Sequence, residues 1–116
     1  MAHDDCLFCK IIAGAIPCKK VYEDDAVLAF DDISPMMPVH TLVVPKEHFD
    51  NLADDVPEEV LGKVFAAAAK VAALKGVDQT GYRIVSNAGA DARQSVMHLH
   101  VHVLGGELMN MGDPRE

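Results

Sequence analysis

At 116 residues, half of them apolar, the chain has the length of one domain and can close a core without disulfide or metal support. Its formal charge of −8, with acidic clusters at residues 23–25, 31–32 and 54–59, argues against a broad nucleic-acid surface but leaves room for a small nucleotide in a pocket. No apolar run reaches the length of a membrane span, the acidic start Met-Ala-His-Asp-Asp lacks the regions of a secretory signal, and three cysteines, an odd number, point to the reducing cytoplasm.

Residues 6–13, Cys-Leu-Phe-Cys-Lys-Ile-Ile-Ala, predict a short helix ending at Gly14, with Pro17 just beyond. Residues 20–22 and 26–30 predict a hairpin turned at Glu23-Asp24-Asp25. Pro35 and Pro38 keep residues 33–38 in a loop, and residues 40–45 predict a central strand. A long helix is expected over residues 57–75, with Leu61, Phe65, Ala68 and Ala72 on its buried face. Asp55 with Glu58 resembles a capping box, Pro57 suits the first turn, Gly76 follows the end, and the alanines at 66–69 allow close approach to a sheet. Residues 82–86 predict a strand, residues 87–94 a polar loop, and residues 98–104 a final strand stopped by Gly105-Gly106. The fold class is α+β with an antiparallel sheet, as one domain over residues 1–116 with its core at about 6–106 and a tail at 107–116.

The octet Met97-His98-Leu99-His100-Val101-His102-Val103-Leu104 carries the chemistry. Period-two alternation puts His98, His100 and His102 in one row, with Leu99, Val101 and Val103 turned to a core. A neutral imidazole attacks phosphorus or an acyl carbon when its other nitrogen is held by an acceptor, which suits His100 at the centre of the row. His102, one pleat along, suits a hydrogen bond to a phosphate oxygen. Ser95, three residues before this strand, suits donation to a leaving group. His40 either borders the same cleft or is a surface residue after Pro38. Cys6-Leu7-Phe8-Cys9 has the spacing of a thiolate pair on tetrahedral zinc. Two buried thiols and a redox pair are the other readings, although the latter motif belongs to a βαβ setting.

The octet resembles that of the histidine-triad (HIT) family, in its histidine-triad nucleotide-binding (Hint) branch. Leu7-Phe8-Cys9-Lys10-Ile11-Ile12, Val21-Tyr22-Glu23-Asp24-Asp25, Phe30-Asp31-Asp32-Ile33-Ser34-Pro35, Pro38-Val39-His40, Val44-Pro45-Lys46-Glu47-His48, Gly81-Tyr82-Arg83, Asn87 and Gln94-Ser95 resemble family segments in the same order. The resemblance implies a five-stranded antiparallel sheet with one long helix and a short N-terminal helix. It implies that His100 is the nucleophile of a nucleotidyl-histidine intermediate, that His102 contacts the α-phosphate, and that Ser95 lies near the leaving group. Asn87 and Gln94 match residues that hold phosphate and orient the site. Asp32 matches the carboxylate that pairs with ribose hydroxyls. Leu7, Phe8, Ile11, Phe30 and Ile33 match the apolar lining of the base pocket. His48 and His98 match the histidines that join Cys6 and Cys9 around one structural zinc. No organic cofactor is implied.

The implied reaction is hydrolysis of a purine nucleoside 5′-phosphoramidate, releasing AMP or GMP and an amine. His102, where related transferases carry glutamine, favours hydrolysis. Dinucleoside polyphosphate hydrolysis and a nucleotide-binding interaction module are the alternatives. Members of the branch are homodimers, and neither nucleic acid nor membrane is an implied partner. Two features depart from the family pattern. Ala92 and Arg93 replace a pair of glycines, and Arg93 either reaches the substrate or is a solvated side chain. The tail at 108–113 lacks the tryptophan and double proline that shape the leaving-group side in many members.

Overall fold

A computed structural model of the chain describes residues 5–110. The acidic start at 1–4 and the end of the tail at 111–116 lie outside the described residues. The elements in chain order are α1 (Leu7–Ile12), β1 (Lys20–Glu23), β2 (Val27–Asp31), β3 (Val39–Pro45), α2 (Glu58–Leu74), β4 (Tyr82–Val85), a 3-10 turn (Ala90–Ala92) and β5 (Val101–Gly105). The strands form one antiparallel sheet in the order β1-β2-β3-β5-β4. This is the predicted α+β architecture. No helix of the described residues is long and apolar enough to cross a membrane.

Apolar residues on consecutive positions let the central strands bury both faces. Val27, Ala29, Val43, Val101 and Val103 meet α2 on one face. Leu28, Phe30, Leu42 and Val44 meet Cys6 and Phe8 of the N-terminal segment on the other. Leu42 pairs with His102 in the β3–β5 register, so the second face is also the histidine face. The octet alternates as expected: Val101 and Val103 enter the helix-side core.

α2 buries Val64, Ala67, Ala68, Val71 and Ala72. That stripe corrects the expected one. Phe65 is 46% exposed and Leu61 only half-buried, because the helix lies too close to the sheet for large side chains. The expected capping box is also absent. Pro57 is the N-cap and makes no side-chain bond, while Asp55 sits at φ 48° outside the helix. At the other end Gly76, at φ +77°, lets its N–H reach Ala73 O and the N–H of Val77 reach Ala72 O. This is a Schellman close, and Val77 joins the core beyond it.

β5 begins at Val101, not at His98. His98 and His100 therefore precede the ladder, held by other means described below. Gly105 ends β5 as expected. Gly106 turns away at φ +98°, where a Cβ would meet Pro38 Cβ at 2.8 Å.

Candidate functional site

A cavity of about 240 Å³ opens between α1, the end of β2 and the histidine row. Leu7, Phe8, Ile11, Phe30 and Ile33 form apolar wall, while Asp32, Ser95, His100 and His102 supply polar groups. α1 places Leu7, Phe8 and Ile11 there because Cys6 caps it, its sulfur accepting the N–H of Cys9 at 3.3 Å. Phe8 packs edge-on against Phe30 and His100, with ring centroids 5.5 and 5.1 Å apart. No Lys or Arg lines this cavity among the described residues.

Backbone groups fix the proton on each imidazole. A carbonyl only accepts, so His100 Nδ1 carries the proton it gives to His98 O at 2.7 Å. His100 Nε2 then keeps its lone pair. An amide N–H only donates, so His40 Nδ1 is bare where it accepts from Met36 N at 3.0 Å. The proton of neutral His40 sits on Nε2 and is donated to His102 Nδ1 at 2.8 Å. His102 must then carry its own proton on Nε2, a buried atom without a hydrogen-bond partner in the structure. Asp32 Oδ2 lies 3.5 Å from His40 Nε2, and its Oδ1 accepts from Ser34 N at 2.7 Å. Burial, then the neighbouring His100 and His40, push the His102 pKa down to about 3, so this imidazole is neutral at ordinary pH. With His100 neutral, the two rings set an unprotonated Nε2 near a neutral Nε2–H donor.

A second cluster lies on the far side of α1. One ligand atom each from Cys6, Cys9, His48 and His98 falls within 4.8 Å of every other. His98 Nδ1 is 3.4 Å from Cys6 Sγ and 3.6 Å from Cys9 Sγ, and His48 Nδ1 is 3.3 Å from Cys9 Sγ. In a tetrahedral site with bonds of about 2.0–2.3 Å, ligand atoms sit roughly 3.3–3.8 Å apart. The far nitrogens are held as metal-bound histidines require. His98 Nε2 meets Pro45 O at 2.8 Å and His48 Nε2 meets Asp50 Oδ1 at 2.9 Å. The donor set and spacing fit a metal ion.

The sequence-derived residues separate into these two groups, with two exceptions. Asn87 is half-buried and is not on the cavity wall. Gln94 is buried and turned to the loops. Its carbonyl accepts from Gly89 N and Asn51 Nδ2, and its amide donates to Asp50 O and Val96 O. Gln94 thus ties the β4–β5 connection to the loop at 50–51 rather than facing the cavity. His40 is buried in the histidine network and is not a surface residue. Ile16, Pro17, Cys18, Leu42 and Val96 also line the cavity and carried no sequence signal beyond their apolar character. Arg93 is exposed, at φ +62°, in the left-handed region that glycine enters without strain.

An antiparallel sheet that turns a histidine row toward an apolar hollow defines a histidine-triad class of protein. The family comparison agrees, for a HIT domain model matches residues 13–109. HitA of Neisseria gonorrhoeae is 42% identical over 104 residues, spanning 88% of this chain and 96% of its own. A histidine triad protein from Clostridium difficile superposes with a TM-score of 0.89 at 49% identity, over 95% of this chain and 98% of its own. A HIT family hydrolase from Clostridium thermocellum gives 0.89 at 43%, over 93% and 96%. The chain belongs to the HIT domain family.

The neutral His102 has a thermodynamic consequence. Between pH 6.5 and about 3 an unfolded chain protonates this imidazole and the folded one does not. The unfolded state binds more protons there, so stability falls as pH drops through that window and is fully retained above it. Urea midpoints measured between pH 7.5 and 4.5 should decline, and His102→Gln should make the decline shallower. An unchanged slope in the variant would assign the pH dependence to other groups.

Proposed function

We propose that this protein, as a member of the Hint branch, hydrolyses purine nucleoside 5′-phosphoramidates in two steps. The observation that carries the reading is His100, its Nδ1–H held by the His98 carbonyl, beside the His102 Nε2–H, which has no hydrogen-bond partner among the described residues, on a cavity wall without Lys or Arg among those residues. The purine lies between Leu7, Phe8, Ile11, Phe30 and Ile33, and the ribose hydroxyls donate to Asp32. His100 Nε2 attacks phosphorus as the P–N bond breaks. The departing nitrogen takes a proton from Ser95, and the nucleotidyl-imidazolium is stabilised through Nδ1–H by the His98 carbonyl. Water then attacks phosphorus and the P–Nε2 bond breaks. The proton lost by water restores Ser95, leaving the nucleoside monophosphate and free His100. Gln94 acts on this site by fixing its loops, and Asn87 by bordering them.

The absence of cations among the described lining residues favours an amine leaving group. The neighbouring hollow beyond Ser95 is lined by Asp5, Cys6, Leu7, His48, Asp50, Ser95, Val96 and Met97, again without Lys or Arg. A polyphosphate leaving group would meet no Lys or Arg among the described lining residues of these two hollows. The similarity to the Clostridium thermocellum HIT family hydrolase supports the same class of reaction. Adenosine 5′-phosphoramidate should turn over well above diadenosine polyphosphates. A rapid quench should give protein carrying one AMP on His100, and His100→Ala should lose at least about a thousandfold in kcat. Full turnover in that variant would sink the mechanism.

We infer that the metal is zinc and that its role is structural, since four protein ligands leave no open position. Cys6 and Cys9 tether α1, and His98 leads directly into the nucleophile, so the ion braces the cavity wall against the histidine row. Purified protein should hold about one zinc per chain, and Cys9→Ser should lower both metal content and melting temperature. Protein isolated without chelator and still free of zinc would refute this.

The chain is also proposed to be a homodimer of the cytoplasm. Half-buried Leu61 and exposed Phe65 leave an apolar stripe on the solvent side of α2. Sedimentation should give a dimer, and Phe65→Glu should weaken it. A monomer at high micromolar concentration would exclude that assembly.

A further inference from the structure

The proposed nucleophile is aimed by its own backbone. His100 Nδ1–H is anchored to the carbonyl two residues earlier, so the ring follows the path of residues 98–100. That stretch lies outside the ladder, because β5 begins only at Val101. On one flank β4 has already ended, its last pair being Val85 with His102. Ser86 is the next residue, and its side chain replaces the missing strand. Its hydroxyl donates to the carbonyl of His100 at 2.8 Å.

We infer that Ser86 is a positioning residue for His100, fixing the peptide plane between His100 and Val101 and thereby the direction of Nε2. The inference rests on the reading of His100 as nucleophile. Contacts that hold residues 98–100 come from the end of β3, from the loop just after it and from Ser86. Pro45 O accepts from His98 Nε2, Phe49 O accepts from Leu99 N at 2.6 Å, and Ser86 grips His100 itself. The first two fix where the segment enters. Ser86 fixes how it leaves, at the residue whose ring reacts. The group is half-buried, so water competes weakly for the bond, and loss of the hydroxyl frees the carbonyl to rotate.

The test compares full-length wild type, Ser86→Ala and Ser86→Thr. For adenosine 5′-phosphoramidate, Ser86→Ala should lower kcat about tenfold with KM within about twofold, since misorientation affects the reacting geometry more than ground-state binding. Ser86→Thr, which keeps the hydroxyl, should recover kcat to within about threefold of wild type. Imidazole 15N spectra should show His100 as the Nδ1–H tautomer in wild type and Ser86→Thr, and as a tautomer mixture in Ser86→Ala. A Ser86→Ala enzyme with unchanged kcat, or a loss that threonine does not repair, overturns the inference. Wild-type protein inactive on every amidate would defeat the proposed reaction instead. The 15N comparison would then decide alone: a mixture in Ser86→Ala supports positioning, and an unchanged spectrum overturns it.

Discussion

The site depends on one asymmetry: a backbone carbonyl accepts hydrogen bonds and never donates them. His98 O accepts the hydrogen bond of His100 Nδ1–H at 2.7 Å, and in the neutral ring this keeps the proton off Nε2. The amide of Met36 works in the opposite sense on His40. It requires an unprotonated Nδ1, so His40 donates from Nε2 to His102 Nδ1 and the proton of His102 is left on Nε2. Carboxylates are peripheral to this logic. Side-chain acids titrate, whereas peptide groups do not, so tautomers set by the main chain persist over a wide pH range. Crowding the rings together disfavours charge on His102, because any proton added there would face both burial and its histidine neighbours.

The same rigidity links the two clusters. His98 lies among the sulfur atoms of Cys6 and Cys9 through its ring and serves His100 through its carbonyl. One residue is thus a ligand candidate on one side and an orienting group on the other. α1 is the shared partition, giving sulfur to one cluster and Phe8 to the other. The short helix has no long amphipathic face of its own. Its position follows from the caps and clusters at its ends.

Much of this was legible in residue order. The alternation of the octet placed Val101 and Val103 in the core and the histidines on the opposite face. The hairpin and the central strand were found to within a residue or two. Of the α2 face, Ala68 and Ala72 were legible and Leu61 and Phe65 were not, because apolar residues nearly encircle the helix and Val64, Ala67 and Val71 take the buried positions instead. The onset of β5 was missed because period two persists in an extended segment whether or not a neighbour pairs with it. The orientation of Gln94 depends on its own connection meeting the loop at Asp50 and Asn51, more than forty residues earlier, and no local pattern encodes such a meeting.

The absence of Lys and Arg from the described cavity lining reaches beyond the proposed bond-breaking step. A monophosphate left at the histidine row would be held by neutral donors, without the charge-assisted bonds that make many nucleotide sites slow to empty. In a molecule of net charge −8, the long-range field would add to the outward push. Such a site favours rapid clearance of spent nucleotide over its storage.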